Sequence, residues 1–178
     1  MRPSDWGRIL AGLTVMGPIP YIAYAEVYLN EHQAAEILFP GIGLNPVWVE
    51  LTPQELKTIE KASGKKWLSS KVRVWWGPQR EAVIIDHVLG KHEYITYAVA
   101  ITPDGKVKGV EIMEYRETYG YQIRQPQWRK QFVGKTIHDP LKIDKDIQNI
   151  SGATLSSVHI TDGVRRILNS YEILRSKN

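Results

Sequence analysis

The sequence predicts an α+β fold: a central antiparallel sheet, short helices before it and one long helix after it. Three features carry that reading. Apolar residues alternate with polar ones in the middle of the chain (Val72, Val74 and Trp76 around Arg73, then Ile95, Tyr97, Val99 and Ile101), and a period of two marks strands. Pro103-Asp104-Gly105 separates that last set from the apolar run of residues 107–115, which is the chemistry of a hairpin turn. Outside this region the apolar period lengthens to the helical one, in two short segments before it and a long one after it.

Asn30 to Phe39 reads as a short helix, with Asn30 as cap, Ala34, Ile37 and Leu38 on one side, and Phe39-Pro40-Gly41 as its end. Residues 40–50 are rich in Gly and Pro and are expected to form a loop. Thr52-Pro53-Gln54-Glu55 is a capping box with Pro at the first helical position. Gly64 supplies the stop, and Leu56, Ile59 and Ala62 form the buried stripe. Strands follow from Lys71, over residues 82–89, and on both sides of the Asp104-Gly105 turn. Gln125 to Gly134 is expected to be helical, with Trp128 and Phe132 four apart. Ser156 to Ser176 is the C-terminal helix, on which Val158, Val164, Ile167, Leu168, Tyr171 and Leu174 keep helical spacing.

A chain of 178 residues accommodates one ordinary domain and a targeting segment. The net charge of +4 suits an anionic small ligand or membrane surface. Lys and Arg do not cluster beyond pairs such as Lys65-Lys66 and Arg165-Arg166, so nucleic acid is not an expected partner. Cysteine is absent, which removes disulfides, thiolate metal sites, iron–sulfur clusters and cysteine nucleophiles. Redox chemistry would therefore have to come from an organic cofactor or a histidine-bound metal. The five histidines show no ligand spacing, and no metal or catalytic residues are assigned.

The N-terminus reads as an export signal. Arg2 and Arg8 precede an uncharged, largely apolar stretch from Ile9 to Ala25, and Ala23-Tyr24-Ala25 suits cleavage before Glu26. Retention of the same stretch as a membrane anchor is the alternative, although Pro18 and Pro20 interrupt it. The resulting division is 1–25 as signal or anchor, 26–90 as an N-terminal extension without assigned role, and 91–178 as the ligand-binding domain. The expected location is the periplasm or the extracytoplasmic face of the membrane.

Residues 148–157, Gln-Asn-Ile-Ser-Gly-Ala-Thr-Leu-Ser-Ser, set hydroxyls, a glycine and small side chains directly before an amphipathic helix. Helix N-termini offer unpaired N–H groups and partial positive charge, and so attract phosphate. Gly152 and Ala153 would let a ligand approach the backbone, and the Thr154 hydroxyl would hydrogen-bond or esterify a phosphate. On these residues alone the simpler reading is a hydroxyl cap from Ser156 or Ser157.

The ordered context shifts that balance. Ser151-Gly152-Ala153-Thr154-Leu155-Ser156-Ser157 resembles the signature of the FMN-binding domain family. That family includes the flavin-carrying subunits of Rnf-type and sodium-translocating NADH:quinone reductase complexes, and FMN-binding parts of periplasmic nitrous-oxide regulators. The resemblance takes in residues 104–110, 114–120, 131–135 and 161–164, and covers about residues 92–170.

It implies FMN as cofactor, held covalently through Thr154 or non-covalently at the same turn, with Ser151, Gly152, Ala153, Leu155 and Ser156 around the phosphate. It also implies that Glu117, Thr118 and Gly120 lie against the isoalloxazine ring. Apart from the resemblance, Lys135 is a candidate site residue as a cation able to tune the flavin potential, with a solvated basic face as the simpler reading. Arg124, Arg129 and Lys130 are further cations of that kind, each equally at home on a solvated face.

Two departures stand out. Flavinylated relatives carry Asp three residues before the Ser-Gly-Ala-Thr block, where this chain has Gln148, and the nearest acid is Asp146. Relatives also follow Glu-Thr with Pro-Gly, where this chain has Tyr119-Gly120. The expected function is electron transfer between a membrane-linked donor and an acceptor. A membrane electron-transfer complex or periplasmic redox protein is the expected partner, with a flavin transferase if attachment is covalent. The alternatives are an FMN-binding redox sensor or maturation module, and a structural subunit that has lost its flavin.

Overall fold

The computed structural model describes residues 26–178. The signal-like stretch Ile9–Ala25 lies outside them. Six antiparallel strands form one sheet: β1 (Glu26–Val27), β2 (Asn45–Glu50), β3 (Lys71–Trp76), β4 (Ala82–Leu89), β5 (Tyr94–Ile101) and β6 (Val107–Tyr115), in the order β1-β6-β5-β4-β3-β2. Helix α1 (Glu31–Leu38) covers one face. On the other lie α2 (Pro53–Ser63) and the long α4 (Thr154–Ser176), while α3 (Pro126–Arg129) sits in the connection from β6 to α4. The α+β class read from the sequence is the fold observed.

The alternation in β3 to β5 sorts side chains onto the two faces as expected. Val72, Val74, Trp76, Ala82, Ile84, Ile95, Tyr97, Val99 and Ile101 join the core under α2 and α4. Trp75, Val83, Ile85, Ala98 and Ala100 join the second core under α1. Residues 82–89 form an almost unbroken apolar run because helices cover both faces of β4. Pro103-Asp104-Gly105 makes the hairpin turn, with Gly105 at φ +79° and its N–H donating to the Thr102 carbonyl.

Both short helices begin where their caps predicted. Asn30 and Gln33 form one capping box and Thr52 and Glu55 another, and Gly64 ends α2 in the left-handed conformation at φ +72°. Their buried stripes differ in detail from the expectation. Ile37 is exposed and Ala35 takes its place, because α1 lies over the sheet through Ala34, Ala35 and Leu38. Ala62 is exposed and Ser63 is buried, its hydroxyl satisfied by the Ile59 carbonyl at 2.7 Å.

Other boundaries are also corrected. Residues 45–50, expected as loop, form edge strand β2. Pro46 is tolerated there because an edge strand leaves alternate N–H groups without a ladder partner. Gln125–Gly134 is not one helix but α3 followed by a 3₁₀ turn over Lys130–Phe132. Trp128 and Phe132 still meet edge to face, with centroids 5.1 Å apart.

The sheet runs without interruption from β4 into β5, so segments 26–90 and 91–178 share one core. A buried polar cluster ties it to α4. Asp86 on β4 accepts from the Tyr97 hydroxyl of β5 at 2.6 Å and pairs with Arg166 of α4, which also donates to the Lys66 carbonyl at 2.9 Å. Burial and the neighbouring Asp86 carboxylate hold the Tyr97 phenol well above its usual range, which keeps it a neutral donor. Gly163 is required beside it, since a Cβ there would collide with the Tyr97 hydroxyl oxygen.

Candidate functional site

In an antiparallel meander, the end of β4, the start of β5 and the end of β6 all fall at one edge of the sheet. The N-terminus of α4 comes to the same edge, and the elements enclose a cavity of about 450 Å³. One wall is the turn between β4 and β5, with Lys91 and His92. The second is the chain leaving β6, with Glu117, Thr118 and Tyr119. The third is Gly152, Ala153 and the first turn of α4, with Thr154, Leu155 and Ser156. Seven residues assigned to the ligand from sequence thus face one space: Glu117, Thr118, Gly152, Ala153, Thr154, Leu155 and Ser156.

The local chemistry explains how this space stays open. Gly152 adopts φ +81°, which turns the chain sharply into the helix. Gly120 sits behind the wall at φ +93°, where a Cβ would approach both the Ala153 Cβ and the Tyr115 hydroxyl to 2.6 Å. A glycine against an alanine is what lets the segment after β6 touch the start of α4. The Tyr115 hydroxyl donates to the Tyr119 carbonyl and fixes the same segment, and burial raises this phenol above its usual range.

Helix α4 starts at Thr154, two residues earlier than the expected Ser156. Ala153 occupies the cap position, no side chain caps the helix, and its first turn holds no acidic residue. This overturns the reading of Ser156 or Ser157 as a plain cap. Both are buried inside the helix, and the Ser157 hydroxyl donates back to the Ala153 carbonyl at 3.0 Å. The positive end of a 23-residue helix is therefore left for a ligand. The Thr154 side chain is exposed, and its hydroxyl accepts from the Asn149 amide at 3.2 Å. A phosphate fits this arrangement: open backbone amides, one accessible hydroxyl, and Lys91 and His92 across the cavity.

Ser151 is exposed on the turn just outside the cavity lining. Lys135 is not near it. Residues 134 and 135 bond to Val107 at the start of β6, whereas the cavity lies beyond the end of that strand, about 26 Å away at ~3.3 Å per residue. The Lys135 ammonium pairs instead with Asp146 at 2.9 Å. Arg124 lies 3.2 Å over the Tyr28 ring and Arg129 pairs with Glu111, and neither they nor Lys130 line the cavity.

Asp146, the nearest acid to the Ser-Gly-Ala-Thr turn, is consumed in its own loop. It accepts from the Leu141 and Lys142 amides as well as from Lys135. Burial pushes its carboxyl up, but these amides and the Lys135 ammonium outweigh that and hold it below the usual range. Gln148 is exposed. Its backbone is fixed on both sides, the N–H by Gln131 at 2.8 Å and the carbonyl by the Trp128 indole at 2.8 Å. Trp128 and Gln131 thus aim the Ser-Gly-Ala-Thr turn, a role the sequence did not suggest for them.

Lys91 and His92 were also missed as cavity residues. Two sequence features pointed to them: Gly90 as a break between strands, and the antiparallel order that sets residues 90–93 beside residues 116–120.

Residues 90–169 match the family model described as the FMN-binding domain. The chain is similar to a subunit of the proton-translocating ferredoxin:NAD(+) oxidoreductase complex of Clostridium ljungdahlii, 33% identical over 120 residues, which is 60% of each chain. It is also similar to a subunit of the Na(+)-translocating ferredoxin:NAD(+) oxidoreductase complex of Acetobacterium woodii, 31% identical over 83 residues, 42% of this chain and 40% of the relative. The chain therefore spans about half the length of these relatives. The matched segment includes every wall of the cavity, and FMN is the cofactor that this match supports.

Proposed function

We propose that this chain is an electron-transfer flavoprotein, which holds FMN on the extracytoplasmic face of a membrane as part of a membrane redox complex. The observation that carries the reading is the uncapped N-terminus of α4 opening into a cavity walled by Glu117-Thr118 and by Gly152–Ser156. The names of the two relatives, both subunits of ion-translocating oxidoreductase complexes, support the assignment to a complex.

Bound FMN supplies one- and two-electron redox chemistry. The part of the protein is to hold and present it. The amides in the first turn of α4 would hold the phosphate, and Thr154 Oγ1 would serve as its attachment or hydrogen-bonding atom. Thr118 and Tyr119 bound the cavity on the β6 side. Tyr119 and Leu155 stay exposed at its mouth, at 79% and 47%, where a partner would meet the flavin. Electron transfer needs no acid–base pair, and this reading uses none.

Protein purified from its native membrane fraction is expected to be yellow, with a flavin absorption spectrum and one FMN by mass. A colourless protein without FMN would sink the reading and favour a structural subunit. The location rests on the export-like stretch Ile9–Ala25. Intact mass should show a chain beginning at Glu26, or a membrane-bound chain that retains the stretch as an anchor. A soluble cytoplasmic pool alone would refute export.

A further inference from the structure

Glu117 is assigned to the flavin by resemblance and lines the cavity, yet one of its carboxylate oxygens is bound to backbone. Oε1 accepts from the His92 amide at 2.6 Å and the Glu93 amide at 3.1 Å, and the Lys91 amide adds to the same anion-holding arc. Burial pushes the carboxyl up, but the three amides outweigh it and keep the group below its usual range. Gly90 makes the contact possible. A Cβ there would lie 2.5 Å from Glu117 Oε1 and 3.1 Å from its Cγ, so this glycine is required for space rather than for its backbone angle. Within the turn itself the backbone bond is Gly90 N–H to the Glu93 carbonyl at 2.7 Å, and Glu117 supplies the anchor from outside.

We propose that Glu117 is a positioning residue. Its carboxylate, seated in the amides of residues 91–93 over the bare Cα of Gly90, ties the segment after β6 to the β4–β5 turn and holds Lys91, His92 and Thr118 around the FMN cavity. The proposal rests on FMN occupying that cavity. It gives Glu117 a structural partner 24 and 25 residues away in sequence, while the neighbouring Thr118 lines the same cavity. A cation held close to the flavin favours the reduced cofactor, so the clamp also bears on its potential through Lys91.

Hydrogen exchange on the cofactor-free full-length chain reads the clamp without any flavin. In Glu117→Ala the His92 and Glu93 amides should exchange about ten- to a hundredfold faster, the scale of a lost bond to a charged acceptor. Core amides of β5 should not change. Gly90→Ala should produce the same loosening from the other side of the contact, and the double variant should be no looser than the worse single one, because both remove one interaction. Glu117→Gln keeps an acceptor and should recover part of the protection. With FMN added, the Ala variants should bind about tenfold more weakly, and in Gly90→Ala, which keeps the Glu117 charge, the midpoint potential of the bound flavin should move to more negative values. Glu117→Gln should lie between the Ala variants and wild type in affinity.

Unchanged amide exchange in Glu117→Ala would overturn the clamp. Faster exchange with wild-type FMN affinity and potential would overturn its positioning role. A chain that shows the exchange effect while its wild type binds no FMN would instead overturn the assignment of the cavity, and the proposal with it.

Discussion

Thr154→Val is expected to eliminate any flavin that survives denaturation. The hydroxyl it removes is exposed and serves no cap. Valine is nearly isosteric and costs under ~1 kcal/mol at a helix position, so the fold should persist. Denatured wild-type protein sets the reference. Where its FMN stays attached, Thr154→Val should carry none. Where its FMN is released, the variant should bind about ten- to a hundredfold more weakly, the cost of about 1.5–3 kcal/mol for one hydrogen bond to a charged phosphate.

Gln148→Asp completes the experiment. The Gln148 side chain is exposed, while its backbone is already held by Gln131 and Trp128, so the substitution adds an acid without moving the turn. It should raise the covalently modified fraction wherever wild type is incompletely modified. Full flavinylation of wild type would show that Gln148 is no obstacle. Covalent flavin in Thr154→Val would remove Thr154 from this role.

Arg166→Ala is expected to be the most damaging single change in the core. It leaves Asp86 buried without a counter-charge, and breaking such a pair costs about 3–5 kcal/mol. The urea midpoint should fall accordingly. The triple variant Asp86→Leu, Tyr97→Phe and Arg166→Met replaces the whole cluster with apolar groups. It should regain most of the loss, because no buried charge is then left without a partner. Arg166 lies twelve residues beyond Thr154 on α4, about 18 Å at ~1.5 Å per residue, so folded Arg166→Ala should still take up FMN. A loss below ~1 kcal/mol would show that Asp86 finds water or another partner.

Elements with a local signal were legible in the sequence alone. A period of two set β3 to β6, since a one-residue slip would turn every core side chain to the wrong face. Capping boxes placed the starts of α1 and α2, and Asp104-Gly105 placed the hairpin. The Ser151–Thr154 turn was legible because small residues before an amphipathic helix have a direct chemical consequence. The edge strand β2 was hidden by Pro46 and by side chains that face solvent, which leave no apolar alternation to read.

Which distant groups share the site emerged only from the packing of the elements. Lys135 and Glu117 looked alike as polar residues near matching motifs, but β6 carries them to opposite ends of the sheet. Asp146 is the acid nearest the turn in sequence, yet Lys135 and two amides occupy it. Lys91 and His92 entered the cavity because antiparallel pairing returns the β4–β5 turn to the end of β6, and Glu117 then binds its amides. A charge or a hydroxyl acquires its role from what lies opposite it, and that is set by chain reversal over tens of residues, which no local pattern records.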